Sequence, residues 1–89
     1  MKAVISVTGR DTIGIISGVS DICSRRTANI LDISQTVLEE YFSMIMLVDI
    51  DRLSVSFPKF VDELSALGKE KGLEIHTMHE NIFNSMHRI

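Results

Sequence analysis

Hydrophobic and polar residues alternate in four segments of the chain, and this period of two is typical of β-strands. The four segments are residues 2–8, 29–39, 42–51 and 73–79. Glu39 and Glu40 lie between the second and third segments, where we expect a short turn. The pattern therefore predicts four strands, with the second and third antiparallel.

Two further segments carry apolar residues at helical spacing. The stripe of the first consists of Ile15, Val19, Ile22 and Cys23. We expect this helix to begin at Asp11 or Thr12, because either side chain can accept a hydrogen bond from a free backbone N–H. The second helix follows Ser56, a good capping residue, and ends at Gly72. The chain thus contains two amphipathic helices, one after the first strand and one after the third.

The order strand, helix, strand, strand, helix, strand predicts the fold class. We expect an α+β, ferredoxin-like βαββαβ sandwich, with two helices on one face of a four-stranded antiparallel sheet. Residues 81–89 follow the last strand and form an amphipathic tail. The tail places four apolar residues on one side of a short helix: Ile82, Phe83, Met86 and Ile89.

The third strand is apolar on both of its faces at its centre. Met44 and Met46 share one face, whereas Ile45 and Leu47 share the other. With both helices on one side of the sheet, the second face would be bare, although such a face is normally polar. We expect it to be covered either by the apolar side of the tail or by a partner subunit.

Composition excludes several classes of function. The chain has 89 residues, a net charge of −3 and no cluster of Lys and Arg, so it offers no basic face for nucleic acid. Its longest apolar run, residues 44–48, is far shorter than the ~20 residues of a membrane span. It has no segment typical of a signal peptide, and we expect a cytoplasmic protein that binds neither nucleic acid nor membranes.

The residues that could carry chemistry favour structural roles. Cys23 is the single cysteine, so no internal disulfide can form, and its place on the helix stripe predicts a buried thiol. His76 and His79 are three residues apart on a strand, which puts them on opposite faces and argues against a shared metal. A metal bridged between subunits stays open as an alternative. No catalytic motif or phosphate loop occurs, so we expect no enzyme activity, no cofactor and no metal.

One stretch of sequence resembles a known family. Asp11, Thr12, Ile13, Gly14 and Ile15 open the first helix, and Asn29 and Ile30 open the second strand. Together with the βαββαβ order, these segments resemble the ACT domain. The chain looks similar to small stand-alone ACT proteins of bacteria and archaea, and to the ACT repeats of the glycine cleavage system repressor. The resemblance implies an ACT domain over residues 1–80, followed by the tail at 81–89.

The resemblance also implies a function. ACT domains typically associate side by side into dimers with a continuous sheet. They bind amino acids or other small effectors near the first strand–helix turn, at the subunit interface, and regulate an attached enzyme or transcription factor. Here the implied ligand-binding residues are Asp11, Thr12, Ile13, Gly14, Ile15, Asn29 and Ile30, and the regulated protein is unidentified. The sequence departs from the usual pattern at Ile13, where many ACT domains carry proline.

The residues themselves allow a zwitterion site and also simpler roles. A helix start favours a carboxylate, Asp11 can pair with an ammonium group, and Asn29 offers a donor and an acceptor. Gly14 lets a ligand approach the backbone closely. Alternatively, Asp11 only caps the helix, Gly14 only relieves a tight turn and Asn29 only begins the strand. The alternative function is a protein-interaction or structural subunit with no small-molecule ligand.

Overall fold

The computed structural model describes residues 1–10 and 14–86, and its elements follow the predicted order. The elements are β1 (Lys2–Arg10), α1 (Ile15–Arg25), β2 (Asn29–Leu38), β3 (Tyr41–Asp49), α2 (Phe57–Lys71), β4 (Glu74–His79) and α3 (Glu80–Met86). Glu39 and Glu40 form the turn between β2 and β3, as predicted. The predicted ferredoxin-like fold is confirmed. None of the helices in this part of the chain is long and apolar enough to cross a membrane.

The four strands form one antiparallel sheet in the order β2-β3-β1-β4. At its centre, Ile5 of β1 lies between Met46 of β3 and Thr77 of β4. The pairing of β2 with β3 shifts register between Ile30 and Asp32, which is the signature of a β-bulge. Because β2 and β4 are the outer strands, each has one edge without a neighbouring strand in the described chain.

The core lies between one face of the sheet and the helices α1 and α2. Ala3, Ile5 and Val7 of β1 are fully buried there, because alternate residues of the central strand face the helices. The buried residues of β3 are Phe42, Met44, Met46 and Val48. The buried residues of the helices are Ile15, Val19, Ile22 and Cys23 in α1, with Phe60, Leu64 and Gly68 in α2. The predicted apolar faces of β3 and α1 are therefore confirmed.

The two long helices begin in different ways. Ser56 caps α2 as predicted, since its Oγ accepts a hydrogen bond from the Lys59 N–H at 3.3 Å. Gly72 ends α2 in the left-handed conformation with φ of 70°. The predicted start of α1 at Asp11 or Thr12 is wrong. The helix begins at Ile15 with Gly14 as its N-cap, because Gly14 adopts the positive φ that turns the chain into the helix.

The tail forms α3 but leaves much of its apolar side exposed. Ile82 is 52% exposed and Met86 is 65% exposed, so the alternative in which the tail buries both against its own sheet is wrong. The physical reason is connectivity, because α3 follows β4 without a linking residue and its backbone lies near β1 and β4 only. Phe83 is half-buried, and the predicted contact of Ile89 lies outside the described residues.

Candidate functional site

The turn from β1 into α1 is built around Gly14. Gly14 has a φ of 86°, a conformation that is strained for residues with a Cβ atom. Its carbonyl oxygen accepts the Gly18 N–H at 2.9 Å and the Ser17 hydroxyl at 2.9 Å. Asp11, Thr12 and Ile13, three residues of the predicted site, lie outside the described residues. The described part of the site therefore begins at the helix cap.

The start of α1 offers backbone donors to a ligand. The first N–H groups of any α-helix lack partners within the helix, and they carry the positive end of its dipole. Among the described residues, no side chain caps α1, and its first turn contains no acidic residue. The N–H groups of Ile15, Ile16 and Ser17 are thus placed to receive an anionic or carbonyl group of a ligand.

These donors border a cavity of about 470 Å³ between α1 and the sheet edge. It is lined by Gly14, Ile15, Ile16 and Ser17 at the start of α1, and by Gln35, Val37 and Phe42 on β2 and β3. Val37 is 61% exposed, which shows how open the cavity is along β2. Its volume lies within the range of small-ligand pockets, about 300–1,000 Å³. The cavity combines backbone donors, one amide side chain and apolar walls.

Asn29 and Ile30 lie at the other end of β2. Asn29 pairs with Asp49 and borders a separate cavity of about 460 Å³ with Thr27, Asp51 and Arg52. Ile30 is partly buried against the core. The distance from Asn29 to Gln35 along the extended strand is roughly 20 Å. Within one chain, Gly14 and Ile15 therefore lie at the cavity, whereas Asn29 and Ile30 lie at the far end of β2 and do not reach it.

Sequence reasoning missed the residues that complete the cavity around Gly14. These are Ile16, Ser17, Gln35, Val37 and Phe42. The order of the elements could have predicted that the end of β2 contributes to the site. Because α1 runs back across the sheet before β2 begins, the start of β2 lies beside the end of α1. The end of β2, with Gln35 and Val37, therefore returns to the start of α1.

A larger hollow of about 820 Å³ lies at the opposite end of the sheet. It is lined by Met1, Lys2, Asp51, His79, Glu80, Asn81 and Ile82. None of the residues predicted to bind a ligand is among these lining residues. The hollow is larger, but it contains no predicted ligand-binding residue, whereas the cavity at the start of α1 contains Gly14 and Ile15. The cavity at the start of α1 is therefore the stronger candidate for a ligand site.

Cys23 and the histidines take the places that the sequence predicted. Cys23 is fully buried, and desolvation raises the pKa of its thiol to about 11, which disfavours the reactive thiolate. His79 stacks on Phe57 of α2 with ring centroids 4.1 Å apart, whereas His76 lies on the other face beside Ser6. The described residues contain no cluster of three or more His, Cys, Asp or Glu side chains that could hold a metal.

Comparison with known proteins places the chain in a family. The model of the ACT domain matches residues 2–78. A UPF0237 protein of Clostridium acetobutylicum is 53% identical over 89 residues, covering 100% of both chains. The solved ACT domain protein of Streptococcus pneumoniae is 41% identical with a TM-score of 0.80, and the match covers 93% of each chain. The chain therefore belongs to the ACT domain family.

A more distant structure shares the fold. A candidate glycine cleavage system transcriptional repressor matches with a TM-score of 0.67 and 22% identity, covering 85% of this chain and 43% of that one. At this identity the match shows the fold alone.

Proposed function

We propose that this protein is a regulatory ACT module, in which two copies pair along β2 and bind an amino acid at the start of α1. The observation that carries the proposal is the start of α1, which no described side chain caps and which faces an open cavity on an edge strand. Membership of the ACT domain family supports the regulatory role.

The lining of the cavity suits a neutral amino acid. The carboxylate of the ligand would accept hydrogen bonds from the N–H groups at the start of α1. The side chain of the ligand would contact Ile16, Val37 and Phe42, and Gln35 supplies an amide for a polar group. No charged side chain is found among the described residues that line the cavity. A charged effector side chain would therefore lack a partner in that lining.

Pairing along β2 would complete this site. Nearly all of β2 is exposed, and a free strand edge can hydrogen-bond to a second strand. An antiparallel pair of β2 strands aligns the start of one strand with the end of the other. Ile30 of the second copy would then lie opposite Val37 beside the cavity at Gly14, because both residues pair with β3 residues that face the helices. This arrangement reunites the two halves of the predicted site and extends the sheet across the dimer.

The proposal is tested by filling the cavity. Ser17 and Ser24 are exposed serines two turns apart on the same face of α1, but only Ser17 lines the cavity. We expect one or more of the common amino acids to raise the Tm of the unmodified protein. Ser17→Phe should abolish that increase, because the ring occupies the cavity, while Ser24→Phe should leave it unchanged. The measurement is a thermal-shift screen, followed by calorimetric titration.

Two results would count against the proposal. The first is the absence of any shift with all the amino acids tested. The second is a shift that survives Ser17→Phe. Either result would favour the alternative of an interaction subunit without a small ligand, and recovery of a bound protein from native extract would then be the next measurement.

A further inference from the structure

Gly9 lies near the end of β1 and has no side chain to fill the space above its Cα atom. It pairs with Phe42 of β3, which is buried and lines the cavity at Gly14. A Cβ atom added to Gly9 would lie only 2.3 Å from Cδ2 of Leu73. Real Cβ atoms do not approach a neighbour so closely. The end of the Leu73 side chain therefore occupies the place that a side chain at position 9 would take.

Leu73 directly precedes β4 and reaches over β1 from a fixed base. The pairing of β1 with β4 ends at Thr8 and Glu74, so Leu73 lies beside Gly9 at the next position. The Leu73 N–H donates a hydrogen bond to the Gly68 carbonyl oxygen at 2.7 Å. The backbone of Leu73 is thus tied to the end of α2, while its side chain lies over Gly9.

Four neighbouring positions form one row across the sheet, on the face that carries the helices. In order from β2, the row consists of Val37, Phe42, Gly9 and Leu73. Val37 and Phe42 line the cavity, whereas Gly9 and Leu73 are not among its described lining residues. Phe42 and Leu73 belong to the same core cluster, and each is 7% exposed. Leu73 therefore lies behind the part of the cavity wall that Phe42 forms.

We infer that Leu73 is a positioning residue that sets the depth of the effector cavity through Phe42. The inference rests on the proposed function, since it concerns which amino acids the cavity at Gly14 accepts. Leu73 supports the Phe42 ring from the side opposite the cavity. The position of that ring limits the space for the side chain of the effector, so Leu73 selects for size without contact with the ligand.

Close packing explains why the Phe42 ring depends on this support. Protein interiors contain few voids, and neighbouring groups relax partly into the space left when a buried side chain is shortened. Gly9 has no side chain that could enter the space above it. The ring of Phe42 is the next group in the row, so a shorter residue at position 73 should let the ring move toward Gly9 and deepen the cavity.

Gly9 also offers a way to refill that space. Its backbone does not adopt a positive φ, so alanine fits its conformation. Once Leu73 is shortened to alanine, its Cα atom stays 3.6 Å from the Cβ added at Gly9, which is an ordinary contact distance. In a Gly9→Ala/Leu73→Ala double variant, the added methyl group should take the place of the lost side chain and support the ring again.

The relative affinity for a small and a large amino acid tests the inference. Calorimetric titration gives the Kd of L-valine and of L-phenylalanine. Leu73→Ala should change the ratio of the two Kd values by roughly 10-fold in favour of phenylalanine. Adding Gly9→Ala should return the ratio toward that of the unmodified protein. Leu64→Ala shortens another buried leucine, on α2, and should lower stability without changing the ratio.

The inference is overturned if Leu73→Ala weakens the binding of both amino acids by the same factor, or if Gly9→Ala does not restore the ratio. The proposed function survives either result, and it fails only if the unmodified protein binds no amino acid.

A crystal structure of the Leu73→Ala variant gives a second measurement that needs no ligand. The Phe42 ring should lie closer to Gly9 than in the unmodified protein, and an unmoved ring contradicts the inference. Should Leu73→Ala fail to fold by circular dichroism, Leu73→Val and its control Leu64→Val allow the same comparisons.

Discussion

At the scale of single residues, two glycines inside helices show how closely the layers approach. A Cβ added to Gly18 of α1 would lie 3.3 Å from Cδ2 of Leu67, the end of a flexible side chain. A Cβ added to Gly68 of α2 would lie 2.8 Å from the carbonyl oxygen of Leu73. The Leu73 backbone is held in place before β4, so it cannot move away from an added Cβ as easily as the Leu67 side chain can. Gly68 is therefore required by the close approach of the backbone, whereas at Gly18 a larger residue would contact only a movable side chain.

This contrast predicts opposite effects of one substitution. Gly18→Ala should raise the free energy of unfolding by up to about 1 kcal/mol, because alanine favours the helix and Leu67 can shift. Gly68→Ala should lower it by roughly 1–3 kcal/mol, because the added methyl group overpacks against the backbone. Urea unfolding of both variants measures the difference. A stabilised Gly68→Ala protein would show that α2 and β4 pack less tightly than described.

At the scale of elements, an ion pair joins the end of α1 to α2. The Arg26 guanidinium donates to the Glu63 carboxylate through Nε at 2.8 Å and through Nη2 at 2.6 Å. Both side chains are partly buried, at 28% and 24% exposure. The hydrogen bond from Arg26, together with its charge, holds the pKa of Glu63 below its usual value. By contrast, the Asp21–Arg25 pair within α1 is largely exposed.

The lowered pKa of Glu63 sets a pH dependence of stability. A carboxyl with a depressed pKa in the folded state stabilises the protein above its unfolded pKa, and this contribution is lost as the pH falls through the folded pKa. Glu63→Gln should therefore lower the Tm at neutral pH, and the gap from the unmodified protein should close on acidification. Asp21→Asn serves as the control and should have little effect at any pH. Calorimetry from neutral to acidic pH measures the Tm of both variants and of the unmodified protein. A Tm difference between Glu63→Gln and the unmodified protein that stays constant with pH would contradict the assignment.

The elements of the fold could be predicted from periodicity, whereas the boundary at Gly14 and the tail could not. The alternation of Met44, Ile45 and Met46 depends only on which face is buried, so the strand follows directly from the sequence. The start of α1 depends on a single positive φ at Gly14, which the apolar stripe does not report. Similarly, the apolar side of α3 suggested packing within the chain, but Ile82 and Met86 remain exposed.

The candidate site was only half predictable for a related reason. Gly14 and Ile15 follow from the motif, and both border the cavity. Asn29 also follows from the motif, but strand direction carries it to the far end of β2. Gln35 and Val37 are recognised only once the end of β2 is placed beside the start of α1. The sequence marks residue types well, but the distance between them depends on topology.

At the scale of the whole molecule, the protein presents two surfaces with different properties. The outer edge of β2, which has no neighbouring strand in the described chain, lies next to the cavity at Gly14. The sheet face opposite α1 and α2 carries the exposed Ile45, and α3 carries the exposed Ile82 and Met86. A domain of this size has a thin core, and association adds buried apolar surface. Binding of an effector at an edge shared by two copies would couple ligand to assembly, which is how such a module could regulate another protein.

The central claim of the proposed function is an effector site shared between two copies that pair along β2. Two variants test it, because each alters the part of the site that one of the two copies contributes. Ser17→Phe blocks the cavity of its own chain, and Ile30→Ala removes the side chain given to the other copy. Neither variant alone should bind the amino acid found in the thermal-shift screen. A mixed dimer, purified after co-expression with two different tags, contains one intact site and one doubly altered site. Calorimetric titration should therefore give half the stoichiometry of the unmodified dimer, and no binding by the mixed dimer would contradict the shared site.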